Sequence, residues 1–328
     1  MTTPHIRILA TGGTIAGSAG SAITRGYRAG QVAIADMLAG AKTLGIAARL
    51  DGVDIAQIGS QDIGWAEWDI LHSHIAEACA DPDVDGVIVT HGTDTAEETA
   101  FLLDLTLAAG KPVVLVGAMR PADAVGSDGL RNFANAVRVA SDPGAHGRGV
   151  MLVMGDSILA ASDARKWATA NVDAFKGYPR GPLGLVTPTT LDWFAPPARI
   201  RSPARFAWPE CLPRVEIVYA AADVESDIVD ALISLGAKGL VLAGMGQGNA
   251  PKPLLSALSR VVQAGVPVVR ASRVDEGSVD RNVEVDDDSV GFVASRSYNP
   301  QKSRILLQLM LASGITDPAR MQSEFDRR

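Results

Sequence analysis

Short, near-continuous runs of branched apolar residues recur along the chain at Ile6–Ala10, Gly86–Thr90, Val113–Gly117, Gly149–Met154, Val215–Ala220, Gly239–Ala243 and Val266–Ala271. A strand with one wet face alternates apolar and polar residues. Runs without that alternation call for burial on both faces, as in the middle of a parallel sheet. Parallel neighbours need long crossovers, and the stretches between the runs carry helical spacing. Ala96, Ala100, Leu103 and Leu107 share one helical face, and Thr95-x-x-Glu98 reads as a capping box opening a helix over 96–109. Strand and helix in alternation define an α/β fold.

The pattern breaks between Leu191 and Pro213, where Pro196, Pro197, Pro203, Pro209 and Pro213 resist both helix and central strand. The expected organisation is a larger N-terminal domain over 1–195 with a mostly parallel, doubly wound sheet, a linker over 196–213, and a smaller α/β domain over 214–328. A chain of 328 residues is long enough for two such cores. The net charge of -7 and the lack of any Lys/Arg run argue against nucleic acid as a partner. No stretch of 18 apolar residues suggests a membrane span. Cys79 and Cys211 form neither a disulfide framework nor a CxxC zinc site, so two reduced, mostly buried thiols are expected. Met1–Arg7 has no hydrophobic signal core, which points to the cytoplasm; a mature periplasmic form with its signal removed would read the same.

Three of the apolar runs feed loops rich in glycine and hydroxyls: Thr11–Gly17, His91–Thr95 and Ala118–Pro121. Ligands of open parallel sheets bind outside the carboxyl ends of the strands, so these loops are a site candidate. Thr11–Gly17 is neither GxGxxG nor a P-loop, which leaves a nucleotide-binding α/β module as a poor alternative. Thr93, Asp94 and Thr95 stand at a helix N-terminus, where the macrodipole favours an ionised carboxylate able to hold an ammonium group. Thr95 alone would serve as a cap. No GxSxG elbow and no HExxH occur, and no pair of carboxylates stands out as in glycosidases. A threonine nucleophile without an obvious histidine base is the coherent remaining chemistry.

These residues resemble a known family. Ile8-Leu9-Ala10-Thr11-Gly12-Gly13-Thr14-Ile15-Ala16-Gly17 is similar to the first signature of bacterial L-asparaginases. Val89-Thr90-His91-Gly92-Thr93-Asp94-Thr95, with Glu97-Glu98-Thr99-Ala100, resembles the second. The likeness continues through Lys111-Pro112, Arg120-Pro121 and Asn299-Pro300-Gln301-Lys302, and is closer to the type II than to the type I enzymes. It implies hydrolysis of L-asparagine to L-aspartate and ammonia through a threonine acyl-enzyme, without metal or organic cofactor. Residue by residue, it implies Thr14 as nucleophile, Tyr27 as the loop tyrosine that helps activate it, and Thr93, Asp94 and Lys166 as a second hydroxyl–carboxylate–lysine set. Ser60 and Gln61 would contact the substrate's α-carboxylate and α-amino groups, Asp94 its ammonium, and the Ala118 backbone its carbonyl oxygen. Asn249 and Glu284 would complete a neighbouring subunit's pocket, which implies a homotetramer built as a dimer of dimers.

Cys79 lies near one cysteine of a disulfide found in some periplasmic members, but Ala109 stands near its partner's place, so no bridge is expected. Gln247 replaces an asparagine common in the family. Gln61 is the asparaginase-like choice where glutaminase-leaning relatives often carry glutamate. Secondary glutaminase activity, or a glutaminase-asparaginase of broad specificity, remains an alternative. An asparaginase-like subunit of a glutamyl-tRNA amidotransferase is disfavoured by the acidic charge and by a first strand that begins at once.

Overall fold

The computed structural model describes residues 3–18, 34–35, 38–39, 47–108, 110–197 and 204–327. The chain divides into two compact units, Met1–Arg205 and Phe206–Arg328. The first holds strands β1 (His5–Gly12), β2 (Arg49–Ile58), β3 (Gly86–Thr90), β4 (Val113–Val116), β5 (Val150–Met154), β6 (Ser157–Ala160), β7 (Ala164–Lys166), β8 (Phe175–Gly177), β9 (Gly184–Val186) and β10 (Leu191–Trp193). Eight of them form one sheet in the order β10-β9-β6-β5-β4-β3-β1-β2, and β7 pairs with β8 as a separate ribbon. From β2 to β5 every pairing is parallel, whereas β6, β9 and β10 extend the sheet antiparallel.

The central strands show why an unbroken apolar run is needed. Ile88, Val114, Val116, Met151 and Val153 face one layer with Phe133, Ala136 and Val137 of the helix Gly129–Ala140. Val87, Val89, Val113 and Leu115 face the other with Leu71 and Ile75 of the helix Trp65–Ala80, and Ala100 and Leu103 of the helix Ala96–Thr106. Both faces are therefore dry, as a doubly wound sheet requires.

The second unit repeats the principle on a smaller scale. Strands β11 (Val215–Tyr219), β12 (Gly239–Gly244), β13 (Val268–Ser272) and β14 (Val293–Ala294) form a wholly parallel sheet in sequence order. Leu240, Leu242 and Val268 pack against Val229 of the helix Asp227–Ser234 and against Leu254, Ala257 and Leu258 of the helix Lys252–Gln263. The helix Pro300–Ala312 also packs on β11, β12 and β13. It starts where Asn299 accepts a hydrogen bond from Lys302 N (3.1 Å) with proline at the first helical position, so that Asn-Pro-x-Lys segment is a helix start.

The α/β expectation holds, with local corrections. β2 was not among the expected strands. It is an edge strand carrying Asp51, Gly52 and Asp54 with most positions partly exposed, so no apolar run marks it. β10 lies inside the stretch that showed no period. The expected helix over 96–109 ends at Thr106, with Leu107 as its C-cap. Thr95 makes no side-chain cap, because its hydroxyl donates instead to the Ser60 carbonyl (2.7 Å). Both cysteines are free, but Cys211 is exposed and only Cys79 is partly covered, where burial pushes its thiol pKa up. Ala109 lies outside the described residues. No helix among the described residues is long and apolar enough to cross a membrane.

Candidate active site

The site is built where β1, β2, β3 and β4 end. β1 runs into Gly13, whose φ of 78° is a left-handed conformation. A Cβ on Gly13 would lie 2.4 Å from the backbone N and Cα of Gly92, and one on Gly92 would lie 2.7 Å from Ser60 Oγ. Only glycine permits these approaches. They bring three loops into contact: the short helical turn Thr14–Ala16, the loop after β3, and the turn Ser60–Asp62 after β2. Thr14 is buried there, directly after Gly13, with Ile15 and Ala16 anchored in the core.

Ser60 ties the loops together. Its Oγ accepts from Asp94 N (3.1 Å) and its carbonyl accepts from Thr95 Oγ1, so the hydroxyl expected to cap the helix is used to fix Ser60. Gln61 is exposed and donates from Nε2 to Asp62 Oδ2 (3.0 Å). Lys166 comes from the β7–β8 ribbon. Its Nζ donates to Thr93 Oγ1 (2.9 Å) and to Asp94 Oδ1 (2.5 Å). The lysine side chain is 17% exposed and the Asp94 side chain 58%. A pair this open stabilises a fold by at most about 1 kcal/mol. Its chemical content lies elsewhere: an ammonium donating to a hydroxyl, beside a solvent-facing carboxylate.

Ala118, fully buried in the loop after β4, belongs to the same apolar cluster as Ile15. Its loop is held by groups that sequence reasoning passed over. The Asp128 carboxylate accepts from Met119 N (3.0 Å) and Arg120 N (2.9 Å). Asn132 Nδ2 donates to Gly117 O (3.0 Å) and to Asp128 Oδ2 (3.0 Å). The available signal was a polar pair four residues apart, with one member on the core-facing side of a helix. His91 was overlooked for a similar reason. It is buried at the end of β3, where burial lowers its pKa to about 4 and keeps the ring neutral. Tyr27 lies outside the described residues.

The structure thus brings Thr14, Ser60, Thr93, Asp94, Lys166 and Ala118 to one set of strand ends. A cavity of about 510 Å³ among Asp104, Arg148, Asp163, Arg180 and Phe194 contains none of them, so volume alone does not locate this site. Among the described residues no group of three or more His, Cys, Asp and Glu could hold a metal ion.

In the C-terminal unit, Asn249 and Glu284 are also together, with Asn249 Nδ2 donating to Glu284 Oε2 (2.6 Å). Their loops are fastened by a fully buried ion pair. Arg270 donates from Nε and Nη2 to the two oxygens of Asp287 (2.6 Å each). The same guanidinium donates to the carbonyls of Gln247 (2.8 Å) and Asp280 (3.3 Å). Asp287 also accepts from Asn282 N (2.9 Å). The loop bearing Asn249 and the loop bearing Glu284 therefore share one clamp.

Comparison with known proteins covers nearly the whole chain. Residues 5–199 match the model of the asparaginase N-terminal domain, and residues 214–325 that of the glutaminase/asparaginase C-terminal domain. A protein of Haemophilus influenzae named probable periplasmic L-asparaginase is 42% identical over 326 residues, 98% of this chain and 93% of the relative. L-asparaginase 2 of Escherichia coli is 41% identical over 327 residues, 99% of this chain and 93% of its own. The glutaminase-asparaginase of Pseudomonas fluorescens is 39% identical over 312 residues, 94% and 86% respectively. With both domains matched in order, the chain belongs to the asparaginase family.

Proposed function

We propose that this chain hydrolyses L-asparagine to L-aspartate and ammonia, with Thr14 as the nucleophile. The observation that carries the reading is the Lys166–Thr93–Asp94 cluster at the strand end whose Gly92 touches the Thr14 loop. The Thr14 hydroxyl oxygen attacks the side-chain amide carbon. The C–N bond breaks, the nitrogen leaves with the hydroxyl's proton as ammonia, and an ester to Thr14 remains. Water held against Thr93 attacks that ester, its proton returns to the Thr14 oxygen, and aspartate leaves. Lys166 donates to the Thr93 hydroxyl and so orients it, Asp94 holds the substrate ammonium, and the Ala118 backbone donates to the developing oxyanion. Ser60 and Gln61 take the α-carboxylate and α-amino group, and Tyr27 assists Thr14.

Ammonia release from purified protein, with L-asparagine and L-glutamine in parallel, tests this reading. Thr14→Ala should lose essentially all turnover with an unchanged circular dichroism spectrum; substantial residual release would remove Thr14 from the role. Several relatives are named glutaminase-asparaginase, which keeps glutamine as a second substrate. Comparable turnover of both amides would establish that broader reading.

We also infer a homotetramer in which Asn249 and Glu284 reach a neighbour's site, supported by the hydrogen bond that joins half-buried Asn249 to exposed Glu284. If so, mixing refolded Thr14→Ala with Glu284→Ala subunits restores activity that neither has alone, because some sites then receive both native residues. A monomeric mass in light scattering would end this proposal. The cytoplasmic expectation stands against a relative whose name places it in the periplasm, and fractionation of the source cells separates the two.

A further inference from the structure

Beneath the Gly13–Gly92 contact runs a buried chain of hydrogen bonds that the steps above do not use. Trp68 Nε1 donates to Thr99 Oγ1 (2.8 Å), Thr99 Oγ1 lies 2.9 Å from His91 Nε2, and His91 Nδ1 lies 2.7 Å from the Gly92 carbonyl oxygen. Thr99 is 0% exposed, His91 1% and Trp68 7%. The three side chains come from different elements: the helix Trp65–Ala80, the helix Ala96–Thr106 and the end of β3.

The direction of this chain follows from its two ends. An indole N–H only donates, and a backbone carbonyl only accepts. At one end, Gly92 O requires a proton on His91 Nδ1, which in a neutral ring leaves Nε2 as an acceptor. At the other end, Thr99 accepts from Trp68, and its own proton points to His91 Nε2. The two constraints agree on one tautomer. Neutrality has its own cause, since burial depresses the imidazole pKa to about 4.

We propose that Trp68 and Thr99 are positioning residues that lock His91 in its Nδ1–H tautomer, so that His91 holds the Gly92 peptide, and with it Thr93, in place for the Thr14 loop. This rests on the reading of Thr14 and Thr93 given above. Gly92 has no side chain to anchor it, yet Gly13 packs directly on its backbone, so the Gly92 carbonyl needs a fixed donor. A loop displaced by about 1 Å at such a point costs on the order of 10²-fold in rate. Trp68 and Thr99 touch no reacting atom; they act through His91.

The test is Thr99→Val, which keeps the shape of the side chain and removes the hydroxyl, against Thr99→Ser, which keeps the hydroxyl. Two readouts are taken: the ¹⁵N spectrum of histidine-labelled protein, and kcat and KM for L-asparagine. Wild type and Thr99→Ser should show His91 protonated on Nδ1. Thr99→Val should show mixed tautomers, with kcat lowered ~10- to 100-fold and KM moved far less. Trp68→Phe, which leaves the Thr99–His91 bond intact, should fall between them and serves if Thr99→Val does not fold. Protonation of wild-type His91 on Nε2, or Thr99→Val with unchanged tautomer and kcat, would overturn the relay. Thr14→Ala should keep the wild-type His91 spectrum while losing turnover. Full activity in that variant would instead refute the nucleophile assignment, and the spectra would still decide the relay.

Discussion

Two cation–carboxylate pairs, one in each unit, are built on opposite principles. Lys166–Asp94 opens to solvent on its carboxylate side, with side-chain exposures of 17% for the lysine and 58% for the aspartate, and its lysine bridges to a hydroxyl. Arg270–Asp287 is 0% exposed on both sides, and its guanidinium also serves the carbonyls of Gln247 and Asp280. Water reaches the carboxylate of the first pair, so the pair adds little to folding. The second has no water to fall back on, and each partner satisfies the other's buried charge. In the proposed reaction the first pair takes part in chemistry, whereas the second ties two loops to one guanidinium.

The comparison breaks most visibly at Asp287. Asp287→Asn leaves a buried guanidinium without its counter-charge and should cost about 3–5 kcal/mol in urea unfolding. A loss below ~1 kcal/mol would mean that the Arg270 clamp is not structural. Lys166→Met tests the converse. Stability should stay within ~1 kcal/mol of wild type, while kcat should fall ~10²–10³-fold, as for loss of one preorganised donor. Unfolding at lower urea with kcat preserved would reverse the two roles.

A buried group with no charged partner sharpens the contrast by its response to acid. Unfolded, His91 titrates near 6.5, and folded at about 4. Between those values the unfolded chain holds more protons. Stability present above about pH 6.5 is therefore lost as pH falls toward 4, by roughly 3 kcal/mol at the limit for this one group. Urea melts at pH 7 and pH 4.5 measure it. His91→Asn should show a smaller acid loss, and an equal loss would assign the effect to other groups.

The legible parts of this molecule were those whose cause is local. Val87–Val89 and Val113–Val116 are apolar at every step because both faces of the sheet are covered, and that shows in the residues themselves. β2 escaped because an edge strand with Asp51 and Asp54 partly in water needs no apolar run. The glycine and hydroxyl loops stood out, but the partners that organise them come from elsewhere in the chain. Lys166 reads as a surface lysine until the β7–β8 ribbon carries it to Thr93. Thr95 has the signature of a cap, yet Ser60, 35 positions away, takes its hydroxyl. Asp128 and Asn132 look like ordinary helix-start residues until the loop after β4 settles on them. In each case side-chain chemistry was visible and the pairing was not, because tertiary contacts chose among local options of similar energy.

The Arg270 clamp also bears on how such proteins could be recombined. The segments around Gln247 and around Asp280–Asp287 meet on a single guanidinium, so they behave as one inherited part. A chimaera that imports one segment from a relative and keeps the other would splice two halves of different cages around the same cation. Crossovers placed before Gly244 and after Asp288 move the cage whole, and shuffled libraries with breakpoints between them should be depleted of folded members.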